Sequence, residues 1–127
     1  MKNIVEKAKE QFLRMIRDYG KDPYGLVSHV NAMEKWAEYL LKNHPEADRE
    51  TVLLGVWLHD IGHYPPKKNA DHSVEGEKVA IKFLKKEGLN KKRISEVAHC
   101  IRAHRCKDVM PSSMEARIEP AWILQAI

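Results

Sequence analysis

Apolar residues recur at three- and four-residue steps along nearly the whole chain, which is the spacing of one face of an α-helix. The first of these stripes predicts a helix over about residues 2–19 that ends at Gly20. Strict alternation of apolar and polar residues, which is typical of a β-strand, does not persist anywhere in the sequence. The pattern therefore predicts an all-α fold.

Two further helices follow, separated by proline-containing turns. The second is expected to have Asp22 as its cap and Pro23 at its first helical position, and to end at Pro45. Its core-facing stripe is predicted to be His29, Met33, Trp36 and Leu40. The third begins at a cap on Asp48, ends at Gly62 and carries Val52, Leu53, Val56, Trp57 and Asp60.

The rest of the chain continues in the same way. Ser73 is expected to cap a fourth helix that ends at Gly88 and turns inward Val79, Ala80, Phe83 and Leu84. A fifth helix starts near Asn90 and places on one face Ile94, Val97, Ile101 and His104. The capping box Ser112-Ser113-Met114-Glu115 opens a sixth, which Pro120 kinks or divides. We therefore expect one domain, residues 1–127, built as a single-domain helical bundle of five to seven helices.

Composition narrows the class of protein. The chain has 127 residues, 43% hydrophobic and 31% charged, which fits one globular domain and excludes a disordered tail. No apolar run approaches the roughly 20 residues of a membrane span. The charged stretch Met1–Lys7 is not a secretory signal, so a cytoplasmic protein is expected. Cys100 and Cys106 are interpreted as reduced packing thiols rather than zinc ligands.

Charge adds little to this picture. The formal net charge of +4 is typical of a soluble, lysine-coated surface. A basic cluster at Lys85-Lys86 and Lys91-Lys92-Arg93 has no interleaved aromatic residues for base stacking, so we expect a solvated turn and no nucleic-acid partner.

The histidines carry more information. His29, His59, His72 and His104 fall at helix ends where each is expected to face the core, and Asp60 follows His59. Each of them alone is most simply a hydrogen-bonded packing residue, but buried ionisable groups together must be paired or must bind a metal. Imidazole and carboxylate ligands suit Mn, Fe, Zn, Ni or Co. His63 lies just past the His-Asp doublet and can reach the same cavity, whereas His44 and His99 are expected to lie elsewhere.

Four segments between about residues 26 and 118 resemble the HD-domain superfamily of metal-dependent phosphohydrolases. They are Ser28-His29-Val30, Leu54-Gly55-Val56-Trp57-Leu58-His59-Asp60-Ile61-Gly62, Asp71-His72-Ser73-Val74-Glu75-Gly76 and Ile101-Arg102-Ala103-His104-Arg105. The resemblance implies a helical bundle with an internal metal site whose ligands are His29, His59 and Asp60. In the two-metal branch of the family it also implies His72 and His104 as ligands, with Asp60 and a water or hydroxide bridging the cations and a metal-bound hydroxide as nucleophile.

The sequence departs from the family pattern in two places. The family usually has an aspartate on a late helix, but no aspartate follows Asp108, so Asp108, Glu115 or Glu119 would have to replace it. The family often has a lysine after His-Asp-Ile-Gly, where this chain has His63. Positive charge for a phosphate is then expected from Lys67, Lys68 or Arg105.

These observations favour a metal-dependent phosphohydrolase, with Asp60 and His63 as catalytic residues, one or two divalent transition metal ions, and a small phosphorylated substrate such as a nucleotide. A catalytically impaired metal- or nucleotide-binding module is an alternative, motivated by the absent aspartate. A di-iron oxygenase-like enzyme on the same fold is another. The apolar run Ala121–Ile127 is expected to fold back onto the bundle or to bury against a second subunit in a homodimer.

Overall fold

A computed structural model describes residues 2–63 and 72–103, and this part of the chain is all-α, as the sequence predicts. The helices are α1 (Ile4–Tyr19), α2 (Leu26–Asn43), α3 (Arg49–Leu58), α4 (His72–Lys86) and α5 (Lys91–Ala103). No strand occurs in the two described ranges. The predicted sixth helix lies outside the described residues. None of the described helices is long and apolar enough to cross a membrane.

The ends of α1 follow directly from local chemistry. The side chain of Asn3 accepts a hydrogen bond from the backbone N–H of Glu6 at 2.9 Å, which satisfies one of the free donors of the first turn. Gly20 ends the helix at φ 89°, a left-handed conformation in which a side chain is strained. Both ends agree with the prediction to within two residues.

The start of α2 differs from the prediction. The helix begins at Leu26 after Gly25, whose φ is 64°, so Pro23 lies in a turn and not at the first helical position. Asp22 still serves as a cap, because its carboxylate accepts from the backbone N–H groups of Leu26 and Val27 at 2.8 and 3.0 Å. The intervening turn lets the carboxylate reach the helix from four residues away.

The boundaries of α3 and α4 also refine the prediction. Asp48 caps α3 by accepting from the N–H of Thr51, as expected. The helix ends at Leu58, so Asp60 lies in the turn after it rather than on the helix. Ser73 is not the cap of α4, because that helix already begins at His72.

The core is organised around α3, in which every residue from Thr51 to Leu58 is buried. α1, α2 and α5 pack against α3, and α4 packs against α5. Trp57 is fully buried and meets the ring of Phe12 edge-on at 5.8 Å. Burying one large apolar side chain of this kind contributes about 1.5–3 kcal/mol. The predicted inward residues that are indeed buried include Ala80, Leu84, Ile94, Val97, Cys100 and Ile101.

Two of the apolar residues that were predicted to face inward are exposed. Trp36 on α2 and Val79 on α4 both face solvent, although their spacing fits an apolar stripe. The side of α2 that is covered by α3 is formed by Leu26, Val30, Met33 and Ala37. Periodicity alone does not say which of two neighbouring apolar stripes a helix buries.

The directions of the helices bring three of their ends together. Arg93 at the start of α5 pairs with Asp48 and Glu50 at the start of α3, at 2.8 and 2.9 Å, so these two helices run parallel. Arg49 at the start of α3 pairs with Glu38 in the last third of α2 at 3.1 Å, so α2 runs antiparallel to α3. The start of α2, the end of α3 and the end of α5 therefore lie at one end of the bundle.

Candidate metal centre

A tight turn continues α3 into the candidate site. The backbone N–H of His59 still bonds to the carbonyl of Gly55 at 2.9 Å, and the N–H of His63 bonds to the carbonyl of Asp60 at 3.2 Å. Because α3 is buried from Thr51 to its last residue, Leu58, the turn that follows it begins inside the bundle. His59 and Asp60 are accordingly buried, as the sequence predicts.

The imidazole of His59 is held in one orientation by the backbone. Its Nδ1 lies 2.7 Å from the carbonyl oxygen of Val56. A carbonyl oxygen only accepts hydrogen bonds, so Nδ1 carries a hydrogen and donates it. The lone pair of the neutral ring is then on Nε2, which faces the carboxylate of Asp60. A backbone carbonyl that fixes the tautomer in this way is the usual outer partner of a metal-binding histidine.

The carboxylate of Asp60 is the centre of the cluster. Its Oδ2 lies 2.8 Å from Nε2 of His59 and 3.3 Å from Nε2 of His29 on α2. Its Oδ1 lies 3.2 Å from Nε2 of His63. One oxygen thus faces two imidazoles from separate elements, and the other faces a third imidazole from the same turn.

The surroundings of Asp60 favour its ionised form. Burial alone raises the pKa of this carboxyl, but His59 and His63 outweigh burial when their rings are protonated, because each ring then both donates a hydrogen bond to the carboxylate and attracts its charge. The pKa of Asp60 is held well below its usual range. The carboxylate is therefore available as an anionic ligand at any ordinary pH.

The donor set of His29, His59 and Asp60 fits a divalent transition metal ion. One ligand atom from each residue lies within 4.8 Å of the others. Two ligands on metal bonds of about 2.1 Å at right angles to each other lie about 3 Å apart, and the two nitrogen-to-Oδ2 distances of 2.8 and 3.3 Å bracket this value. Imidazole nitrogen combined with carboxylate oxygen suits Mn, Fe, Co, Ni or Zn.

His29 does not face the core as we expected. Its side chain is 50% exposed, whereas that of His59 is 2% exposed. His29 lies in the first turn of α2, at the edge of the face that α3 covers. The cluster is therefore closed on the α3 side and open on the side of His29.

The start of α4 lies close to the cluster. At Gly76 the helix backbone approaches so closely that a Cβ added there would meet the carbonyl oxygen of His59 and the backbone nitrogen of Gly62, both at 3.4 Å. His72 is one turn earlier on the same face of α4. That His72 is a ligand stays a prediction, since its side chain is outside the described part of the structure.

The remaining predicted site residues also stay predictions. His104, Lys67, Lys68 and Arg105 lie outside the described residues, as do the three acids proposed to replace the late aspartate: Asp108, Glu115 and Glu119. The two histidines expected to lie elsewhere are in the described part: His99 is exposed on α5, and His44 pairs with Glu46 at 3.5 Å.

Tyr24 is a neighbour of the site that sequence reasoning missed. It lies in the turn between α1 and α2, and its ring centroid is 5.3 Å from that of His63. No periodicity or motif marks a residue in a turn, so the sequence held no signal for this contact. Tyr24 limits the positions that the His63 ring can adopt beside Asp60.

Comparison with known proteins gives one match. A family model described as HD domain matches residues 26–127, a range that contains every candidate ligand from His29 to His104. Neither the curated proteins nor the solved structures contain a match to this chain.

Proposed function

The chain belongs to the HD domain family, and from this premise we propose that it is a metal-dependent phosphohydrolase that acts on a nucleotide or another small phosphate ester. The observation that supports the proposal most strongly is that the ligand atoms of His29, His59 and Asp60 converge within 4.8 Å. His29 comes from α2, whereas His59 and Asp60 come from the turn after α3, 30 positions further along the sequence, so proximity along the chain does not account for the cluster.

Each of the three residues has a distinct task in holding the cation. Asp60 supplies the anionic ligand, and its burial removes competing water. His59 presents Nε2 in an orientation set by the carbonyl of Val56. His29 supplies the second imidazole from the exposed side. One or two divalent cations of Mn, Fe, Co, Ni or Zn would be bound here. They would lower the pKa of a coordinated water and neutralise charge on the phosphate. We propose His72 and His104 as ligands of a second ion.

We propose that His63 transfers protons as a general acid or base. Its imidazole lies against Oδ1 of Asp60, on the side opposite to His29 and His59, and its side chain is 21% exposed. It can therefore be reached by a substrate while it is hydrogen-bonded to the carboxylate. Contact with Tyr24 holds the ring in that position. Lys67, Lys68 and Arg105 are proposed to bind the negative charges of the phosphate.

A paired measurement of metal content and turnover tests this function. Wild-type protein, His59→Ala and Asp60→Asn are compared, and His99→Ala serves as control because His99 is an exposed histidine on α5 that is not part of the group of His29, His59 and Asp60. Metal affinity is measured by calorimetry with Mn²⁺, and turnover with phosphomonoester, phosphodiester and nucleotide substrates. We expect His59→Ala and Asp60→Asn to lose more than about 100-fold in metal affinity, since even outer-sphere changes cost 10–100-fold.

The outcomes separate the candidate functions. Metal-dependent turnover in wild type and His99→Ala, lost in the other two variants, supports the phosphohydrolase. Metal binding without turnover of any phosphate ester would instead favour a binding module, the alternative motivated by the absence of an aspartate after Asp108. Equal metal affinity in all four proteins would contradict the metal site itself.

A further inference from the structure

The outer side of α2 carries an exposed aromatic surface. Trp36 and Tyr39 are each 59% exposed, and their rings meet edge-on at 6.1 Å. They border a shallow, open groove of about 600 Å³ along the helix, which is also lined by Val27, Ala32 and the polar residues Ser28, Asn31 and Lys35. We call the four residues Val27, Ala32, Trp36 and Tyr39 the α2 aromatic face. It lies on the side of α2 opposite to the residues that pack on α3, such as Val30.

An exposed aromatic surface on a helix is expected to be covered by another segment of protein. A helix with apolar residues on two opposite sides is typically packed between two neighbours. Among the described helices, α3 is the main packing partner of α2, and it covers the side that carries Val30. Large contiguous apolar patches on a protein surface mark contact sites more often than free surface.

The path of the chain brings a candidate to this face. α5 runs parallel to α3 and α2 runs antiparallel to it, as the pairs of Arg93 with Asp48 and of Arg49 with Glu38 show. Ala103, the last described residue, therefore lies at the end of the bundle where α2 begins. The chain continues from there, and the groove starts at the same end with Val27.

The apolar run Ala121–Ile127 matches the groove in chemistry and reach. It contains Trp122, Ile123, Leu124 and Ile127. The connecting residues 104–120 can span up to about 55 Å when extended, whereas the helix from Val27 to Tyr39 is about 18 Å long. Length therefore does not prevent the run from reaching any part of the α2 aromatic face.

We propose that the run Ala121–Ile127 docks onto the α2 aromatic face of its own chain. A tethered segment has an effective concentration of about millimolar, which exceeds the concentration of a second copy in any dilute solution. Docking buries Trp36 and Tyr39 and the apolar run together, so two exposed apolar surfaces are removed from water at once.

Hydroxyl-radical footprinting of the wild-type chain tests the proposal. Tyr24 is 58% exposed in the described structure and serves as an internal reference for Tyr39 and Trp36. We expect both α2 residues to be oxidised more slowly than their exposure predicts, by roughly threefold or more relative to Tyr24, because a covered patch excludes solvent. Ile123→Asp should abolish this protection, whereas Lys107→Asp, with the same new carboxylate outside the apolar run, should retain it.

Dilution and cross-linking identify the occupant. Protection that is independent of protein concentration supports docking within one chain, and protection that is lost on dilution shows a second copy and overturns the proposal. Absence of protection overturns it as well.

In a Cys106→Ser background, cysteines at Ala32 and Ile123 should form a disulfide within one monomer, and cysteines at Gln11 on α1 and Ile123 should not. Equal cross-linking of the two pairs, or cross-linked dimers alone, would contradict the assignment.

Discussion

The two ends of α3 gather charged groups in opposite ways. At its start, Arg93 lies between Asp48 and Glu50 at 2.8 and 2.9 Å, so each carboxylate has a permanent cation beside it. At its end, the ion pairs of Asp60 within the described residues are all with histidines. The start is partly exposed to solvent, whereas Asp60 is buried.

This difference separates a structural charge cluster from a ligand set. Carboxylates that face an arginine are neutralised within the chain itself and gain little from a metal. A buried carboxylate that faces imidazoles is neutralised only by protons on those rings or by a cation held between them. The start of α3 therefore contributes to stability alone, and the end of α3 couples stability to metal binding.

The largest expected effect is stabilisation by metal at the end of α3. Mn²⁺ at a hundredfold excess over its Kd should raise the free energy of unfolding of the wild type by about 2.7 kcal/mol, because only the folded chain brings the ligands together. Thermal and urea unfolding with and without Mn²⁺ measure this. Asp60→Asn should show no increase, and Arg93→Met at the other end should show the full increase. An equal increase in Asp60→Asn would remove the distinction between the two ends.

A substitution at Gly76 tests how closely α4 must approach the end of α3. Gly76→Leu should lower the free energy of unfolding by about 1–3 kcal/mol through overpacking against the backbone of His59 and Gly62. Gly76→Ala should be neutral or stabilising by up to about 1 kcal/mol, because its Cβ meets those atoms at ordinary contact distance and alanine favours helix. Urea unfolding of both variants measures the contrast. Similar losses in the two would show that space at this contact is not the cause.

The start of α3 should respond more weakly. Arg93→Met removes two ion pairs that are partly screened by water, so we expect a loss of about 1 kcal/mol or less. The loss should shrink in about 1 M salt, where such pairs are screened. Arg49→Met, which removes a more exposed pair with Glu38, is the control and should cost less. Salt-independent losses would argue that packing of the arginine stem, and not charge, is responsible.

The smallest expected effect is a difference in the pH dependence of stability. Because the pKa of Asp60 is lowered in the folded chain, the unfolded chain takes up this proton at higher pH. Its contribution to stability is therefore complete above the ordinary aspartate pKa of about 3.9 and is lost as pH falls below it. In urea unfolding of the metal-free protein at acidic pH, the wild type should lose stability more steeply than Asp60→Asn. Parallel slopes would contradict a lowered pKa.

Much of the fold was predictable because helix signals are local. Asp48 caps α3 and Gly20 ends α1 through bonds to residues three or four positions away, which the sequence shows directly. The cap at Asp22 was only half right, since its carboxylate reaches a helix that starts at Leu26. The start of α2 was misplaced because the geometry of a turn depends on backbone angles, and the residue types in the turn favour certain angles without determining them.

Three of the predicted ligands, His29, His59 and Asp60, lie together in the structure, but their geometry was not predictable from the sequence. The spacing of His29 from the His59-Asp60 doublet selected residues that the structure brings together. The sequence could not show that His29 is half exposed or that Tyr24 packs on His63, because both facts depend on how α2 and its preceding turn lie against α3. The exposed position of Trp36 has the same origin.

The order of residues alone predicts that the described ranges form helices, where most of these helices begin and end, and that His29, His59 and Asp60 are candidate ligands, because caps, breakers and short motifs are local signals. The packing of the helices was needed to show which side of each helix is covered, and that the start of α2 and the end of α3 share one end of the bundle. Those properties arise from contacts between separate helices, and no local pattern encodes them.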